Sequence, residues 1–300
     1  MAQPIRNALT VDVEDYFQVS ALAGAIPPED WERWPSRVVR NTDRVLDLFA
    51  RHDVHGTFFV LGWIAERQPD LVRRIADQGH EIASHGYSHQ LVYNQTPAVF
   101  REETRRSKVL LEDIIGSPVT GYRAASYSIT PESRWALDVL AELGFSWDSS
   151  LFPVHHDTYG MPGTPEQPYR LTTDGGAELV EFPLSTLRVA GQRVPIAGGG
   201  YFRLFPYWFS RWGLGTINAR GQPFIFYLHP WEVDPDQPRV PGLPWKSRFR
   251  HYNNLDRFYP RLDKLLGAFP FGPVTEILAE QSLRPSAPAA EHRPEPTAAS

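Results

Sequence analysis

The chain has 300 residues, 42% hydrophobic and 22% charged, with a formal net charge of −5. That length can bury a large core as one α/β domain or two small ones, and the acidic balance with scattered basic residues argues against nucleic acid as a main partner. No cysteine is present, which excludes disulfides and thiolate metal ligands.

Residues 1–10 hold one arginine and no apolar run of signal-peptide length. The longest apolar runs, such as 224–228, are too short to span a bilayer. The expectation is a soluble, cytoplasmic chain without an export signal or transmembrane segment. Residues 8–13 read as a short buried strand that runs straight into two acids, Glu14 and Asp15. Residues 36–51 place Val38, Val39, Val45, Leu46 and Phe49 at helical spacing, with Ser36 as the N-cap. Residues 54–61, β-branched and aromatic, form the next strand. Pro69 opens a helix that stops at Gly79. A strand over 81–84 ends in Ser84-His85-Gly86-Tyr87-Ser88-His89. One helical turn there would bring both imidazoles to one side, a pair that suits zinc if a third ligand joins it. Taken alone, two ordinary loop histidines are the commoner reading.

A long helix follows from Thr96 to Gly116, with Pro97 in its first turn. Residues 119–122 form a strand leading into Arg123-Ala124-Ala125-Ser126-Tyr127, residues 131–143 a helix stopped by Gly144, and residues 145–147 a strand leading into Asp148. Strand and helix have then alternated about five times, the pattern of a parallel sheet covered by helices. After residue 150 the alternation lapses. Residues 153–168 are a long loop, and 178–189 a strand broken at Pro183. The run Gly198-Gly199-Gly200 reads as a flexible turn, since no Lys-Ser/Thr follows it and no helix is expected to open there. Residues 224–228 form the most apolar strand and end at His229. Pro235, Pro238, Pro241 and Pro244 fall every third residue, a stiff surface loop in polyproline register. A helix covers 253–266, and 284–300 is a disordered tail.

Five polar clusters thus fall at the carboxyl ends of strands: Asp12 to Asp15, His85 with His89, Arg123, Asp148 and His229. In parallel α/β folds these ends share one face, and sites are built there. Each residue has an ordinary structural alternative, such as a cap, a surface ion pair or a satisfied core histidine. Together they supply the parts of a metal-assisted hydrolase.

The motifs Thr10-Val11-Asp12, Ser84 to His89, Gly121-Tyr122-Arg123, Asp148-Ser149-Ser150 and Leu228-His229-Pro230 resemble, in order, those of polysaccharide deacetylases with a NodB-homology domain (carbohydrate esterase family 4). The stretches 12–17 and 231–234 resemble the branch associated with exopolysaccharide and exosortase loci, which has a carboxy-terminal extension. The resemblance implies an α/β fold, an irregular (β/α) barrel of about seven strands. It places one domain over 1–283, with a core over 8–230 and an extension over 231–283. It implies removal of acetyl groups from N-acetylated sugars of an exopolysaccharide or its precursor, with one divalent ion, zinc foremost. In that scheme Asp12 is the general base, His85 and His89 bind the ion, and Arg123 keeps Asp12 ionised. His229 is the general acid, and Asp148 orients and charges it. The ion and a backbone N–H near Ser126 stabilise the oxyanion, and Ser126, Tyr127 and Trp231 meet the substrate.

Two positions depart from the family pattern. Val13 stands where a second acid usually binds the ion, so Glu14 or Asp15 must substitute. Strand alternation puts residues 12 and 14 on one side and favours Glu14. Ala125 stands where a proline often follows the arginine. Two other functions stay open at this point. One is hydrolysis of a small cyclic imide or ureide, which would need a closed small pocket rather than an aromatic-lined groove. The other is a non-catalytic glycan-binding scaffold, supported by the broken acid pair.

Overall fold

The computed structural model describes residues 4–156 and 159–284; the expected tail from residue 285 onward lies outside them. The amino-terminal half is built from β1 (Asn7–Val13), α1 (Val38–Arg51), β2 (Thr57–Val60), α2 (Gly62–Arg67), α3 (Pro69–Asp77), β3 (Glu81–Ser84), α4 (Pro97–Ile115), β4 (Gly121–Tyr122), α5 (Trp135–Glu142) and β5 (Trp147–Asp148). The remainder adds β6 (Tyr169–Thr172), β7 (Glu178–Glu181), β8 (Thr186–Val189), β9 (Gln192–Pro195), α6 (Gly199–Leu204), α7 (Tyr207–Ala219), β10 (Ile225–Leu228), α8 (Trp245–Tyr252), α9 (Leu255–Leu266), β11 (Phe271–Gly272) and α10 (Val274–Glu280).

Nine strands form one sheet in the order β10-β1-β2-β3-β4-β5-β7-β6, with β11 also on β1. All pairings are parallel except β6 with β7. The sheet is curled into a half barrel and left open between β10 and β6. β8 and β9 form a separate hairpin.

Alternation along the strands sorts the side chains into two cores. Leu9, Val11 and Val13 of β1 face outward and pack with Phe58, Ile82 and the covering helices. Ala8 faces inward with Phe59, Ala83, Trp147, Ile225 and Tyr227, and α10 closes that interior through Val274, Ile277 and Leu278. Each fully buried large apolar side chain contributes about 1.5–3 kcal/mol, so both faces of the sheet are firmly set. Asp12 has the inward parity of Ala8 and lies at the strand's end, level with Phe59.

A third, smaller core joins the loop after β1 to the carboxy-terminal region. Tyr16, Phe17, Leu22, Ile26 and Trp31 pack there with Trp231, Val240, Leu243 and Leu255. It fixes two distant stretches of chain on either side of the strand ends.

Several local expectations need correction. Ser36 does not cap α1; its hydroxyl donates to Asp15 Oδ2 at 2.7 Å, and that same oxygen accepts from the amides of Arg37 (2.7 Å) and Val38 (3.1 Å). A helix does open in the triple-glycine run, at Gly199. Gly198 has φ of 152°, and a Cβ there would meet the Tyr227 ring at 2.4 Å, so only glycine lets the chain pass β10 so closely before turning into α6. Helices α7 and α8 were not expected, because their aromatic residues include exposed ones and give no clean apolar stripe. Where the sequence did carry end signals they hold: Thr96 Oγ1 accepts from the Val99 amide at 3.3 Å, and Gly116 ends α4 with φ of 69°.

Candidate active site

The ends of β1, β3 and β10 bring Asp12, Glu14, His85, His89 and His229 to one cleft, and Arg123, after β4, lies buried beneath Asp12. The cleft holds about 210 Å³, and its walls include Ser126, Tyr127, Tyr159, Tyr227 and Trp231.

β1 ends at Val13, and the chain turns at once, the Glu14 amide donating to the Asp12 carbonyl at 3.0 Å. The turn keeps Glu14 facing the cleft even though the strand has stopped, so the parity expected from an extended chain is reached by a different route. Asp15 is turned the other way. Its Oδ1 accepts from the Tyr16 amide at 2.9 Å, and its Oδ2 takes the three donors at the start of α1 described above. Asp15 is therefore a cap and not a candidate ligand, which corrects the pairing of these two acids.

His85 follows β3, and the loop to His89 is not helical: Gly86 and His89 both take left-handed conformations, with φ of 73° and 55°. This turn, rather than a helical one, places the two rings with centroids 5.4 Å apart. His85 Nδ1 donates to the Arg123 carbonyl at 2.8 Å, which leaves Nε2 as the free acceptor. Burial pushes the His85 imidazolium down to about 4, further lowered by His89 against the pull of Asp12 and Glu14, so the ring is neutral near pH 7. His89 Nε2 lies 2.8 Å from Glu14 Oε2. Burial by itself would raise the Glu14 carboxyl, but His89, His229 and His85 outweigh it and hold it below the usual carboxylate range. Ligand atoms of Glu14, His85 and His89 all lie within 4.8 Å of one another. Two imidazoles and a carboxylate, with the imidazole lone pair of His85 aimed inward by its other nitrogen, are a donor set that fits a divalent first-row ion.

Arg123 is fully buried and donates from Nη1 to Asp12 Oδ1 at 2.7 Å and to Thr10 Oγ1 at 2.9 Å. Its guanidinium lies 4.0 Å from the Phe59 ring centre and also donates to the carbonyl and hydroxyl of Ser149. A side chain with that many fixed partners holds one Asp12 oxygen and leaves Oδ2 turned toward His229 Nε2, 3.9 Å away.

His229 caps the short turn after β10. Its Nε2 lies 3.5 Å from Glu14 Oε1, and its Nδ1 lies 3.1 Å from Glu232 Oε2. Burial disfavours the imidazolium, but the bond to Glu232 and the charges of Glu14, Glu232 and Asp12 prevail and raise it to about 9. Glu232 in turn accepts from Arg203 Nε at 2.8 Å. Asp148, expected to orient His229, is engaged elsewhere: Ser150 donates to it from Oγ at 2.6 Å and from the backbone amide at 3.2 Å. Burial raises Asp148 to about 6, and burial with the Asp148 charge beside it raises Glu181 well above the carboxylate range. The partner of His229 is thus Glu232, three residues on, where a Glu after a Pro-initiated turn bonds back to the first residue's amide at 3.0 Å. The pattern His-Pro-x-Glu was the signal in the sequence.

Trp231 is buried, and its indole N–H donates to Glu14 Oε1 at 3.2 Å while its ring stacks on His229 and His251. It therefore sets the cleft wall and positions Glu14 besides facing any substrate. Ser126 and Tyr127 turn through left-handed φ of 49° and 57° at the cleft, and the Ser126 hydroxyl pairs with Ser20 at 2.6 Å.

Residues 31–146 match the family model described as polysaccharide deacetylase, and residues 149–279 match one described as a domain of unknown function, DUF3473. The chain is 29% identical to the peptidoglycan deacetylase of Helicobacter pylori over 158 residues, 52% of each chain. It is 35% identical to the chitooligosaccharide deacetylase of Rhizobium leguminosarum bv. trifolii over 115 residues, 38% of this chain and 49% of that one. The chain thus spans about half the length of these curated relatives. A crystal structure of a putative polysaccharide deacetylase from Mycobacterium smegmatis superposes with a TM-score of 0.62 at 22% identity, over 98% of this chain and 99% of that one. Puue allantoinase superposes with a TM-score of 0.58 at 16% identity, over 92% and 89%. Both structures share the fold.

Proposed function

The chain carries a polysaccharide deacetylase domain of the NodB-homology type, and from that premise we propose that it is a metal-dependent hydrolase removing acetyl groups from N-acetylated sugars of an exopolysaccharide or its precursor. The observation that carries the reading is the convergence of Glu14, His85 and His89 beside an Arg123-held Asp12 and a raised His229.

Glu14, His85 and His89 would hold the ion, zinc by the softness of its two imidazoles. A divalent ion there would supply Lewis acidity toward the acetyl oxygen. Asp12 takes the proton from the attacking water through the oxygen that Arg123 leaves free. His229, cationic near neutral pH, delivers a proton to the departing amine. Glu232 keeps that imidazolium charged and its Nε2 pointed at the cleft. A backbone N–H near Ser126, which lines the cleft, would meet the developing oxyanion.

A polymeric glycan rather than a small imide is favoured by the shape around Tyr159. That ring walls the catalytic cleft and two adjoining clefts of about 380 and 540 Å³. Its hydroxyl bonds to that of Tyr201 at 2.8 Å, which fixes the ring where the three meet. Three clefts grouped around one tyrosine, with Tyr93, Tyr201 and Trp231 also in their walls, suit several sugar rings.

The test is acetate release from a panel of N-acetylated oligosaccharides, with metal content measured on the same protein. About one divalent ion per chain is expected, with release stopped by a chelator and restored by zinc. Asp12→Asn should keep the ion and lose turnover by about 10²- to 10⁴-fold. Ring opening of a cyclic ureide without acetate release from any glycan would replace this reading with the imide one.

A further inference from the structure

The carboxy-terminal helices present a surface that the reaction does not use. Residues 199–231 and 237–255 contain seven arginines and lysines and no aspartate or glutamate, in a chain whose net charge is −5. Only Arg203 of the seven is buried. Among the described residues none of the other six is paired with a carboxylate.

The same stretches expose large aromatic side chains. Trp208 and Trp212 on α7 are 69% and 52% exposed, and Trp245 and Phe249 on α8 are 73% and 51% exposed. Each pair is spaced i, i+4 and so shares one helix face. Two helices that show tryptophan and phenylalanine beside cations only have the make-up of helices that lie in a lipid–water interface. The two regions are fixed to one another. Arg203, from α6 just before α7, donates to the carbonyls of Arg250, His251 and Asn253 at 3.0, 2.8 and 2.9 Å.

Between α8 and the proline-rich loop lies a cleft of about 630 Å³, with Arg239 and Arg248 in its walls beside Phe249 and Tyr252. Arg239 is held over the Tyr252 ring at 4.2 Å, which leaves its guanidinium edge for an anion. The stiff loop expected at 235–244 thus walls a cleft, but one separate from the catalytic one.

We propose that the exposed face of α8 docks the protein on the surface of a membrane rich in anionic phospholipid, with α7 as a second contact. The aromatic side chains enter the boundary between headgroups and acyl chains, and the arginines around the α8 cleft meet lipid phosphates. Charge decides between lipid and sugar as the occupant. An uncharged acetylated glycan gains little from six unpaired cations, and an acidic one is told apart from lipid by the polysaccharide arm of the test below. Docking at α8 also bears on the site, because the buried His251 on that helix stacks on Trp231 at 4.5 Å. No helix among the described residues is long and apolar enough to cross a membrane, so attachment would be at the surface.

The full chain should be sedimented with vesicles of phosphatidylcholine alone and of phosphatidylcholine with one third phosphatidylglycerol. Binding to the anionic vesicles is expected at low salt, at least about tenfold weaker without phosphatidylglycerol, and weakened by added salt. Trp245→Ala with Phe249→Ala, and separately Lys246→Glu with Arg248→Glu, should each lower binding about fivefold or more while leaving thermal unfolding unchanged. Trp208→Ala with Trp212→Ala serves as an independent pair on the other helix. No binding by the wild-type chain at low salt, or equal binding by all variants, would overturn the proposal. So would loss, in the same variants, of binding to a soluble polysaccharide with vesicles ignored, which would make the face a glycan platform.

Discussion

Asp148 and Glu232 are both fully buried carboxylates within reach of the strand ends, yet their surroundings give them opposite duties. Asp148 has a second acid, Glu181, for a neighbour and two donors from Ser150. Glu232 lies between Arg203 and His229, and these cations hold it below the usual carboxylate range although burial opposes them. The adjacent pair Glu14 and Asp15 divides in the same way. Glu14 faces three imidazoles, whereas Asp15 faces amides and a hydroxyl, and burial raises it. What a buried carboxylate does here follows from whether a cation or a neutral donor answers it.

The largest effect should come from separating the first pair. Glu232→Gln removes the charge that supports the His229 imidazolium, and turnover should fall on the order of 10²-fold or more. Asp148→Asn keeps bonds with Ser150 and should cost less than about tenfold. Initial rates of acetate release, with circular dichroism to verify folding, check both. Equal losses would erase the distinction. The second pair should separate by metal affinity. Glu14→Gln should weaken binding by about 10- to 100-fold, and Asp15→Asn should leave it unchanged, as read by titration against a competing chelator. The smallest effect is on stability: Asp15→Asn weakens one acceptor shared by three donors and should cost about 1–3 kcal/mol in denaturant unfolding. If Asp15→Asn released metal instead, the two neighbours would have been assigned the wrong way round.

The sequence shows the first half of the site better than the second, and the reason is physical. Asp12, His85 and Arg123 each fall at the end of a strand with a legible apolar pattern, so their common face follows from parallel topology, and His89 lies one turn beyond His85. The choice of Glu14 was reached by alternation, but the strand stops one residue earlier and a tight turn does the aiming. The His85–His89 turn is not the helical one that would bring the two rings together at this spacing, because its geometry rests on Gly86 and a left-handed His89, not on any periodicity. The partner of His229 was missed because Glu232 is recruited by local capping, while the cation behind it, Arg203, sits on a helix that opens in a glycine run. Long-range ion pairs of that kind leave no spacing to read. The α/β fold with a curled parallel sheet follows from the alternation, and the two strands beyond the seven legible ones carry little pattern: β6 buries only Leu171 of its four residues, and β11 is two residues long.

The account rests most on Glu232 as the group that keeps His229 cationic, and the pH profile of kcat/KM tests this directly. A general acid works only while protonated, so activity is present below the pKa of His229 and lost as pH rises through it. With Glu232 in place that group is raised to about 9. A divalent ion held by Glu14 would lower the alkaline limb in wild type and variants alike, so the displacement between them is the quantity to read. Glu232→Gln should move the alkaline limb to lower pH by about one unit or more, and Asp148→Asn should leave it in place. A limb that moves in Asp148→Asn and stays fixed in Glu232→Gln would contradict the account.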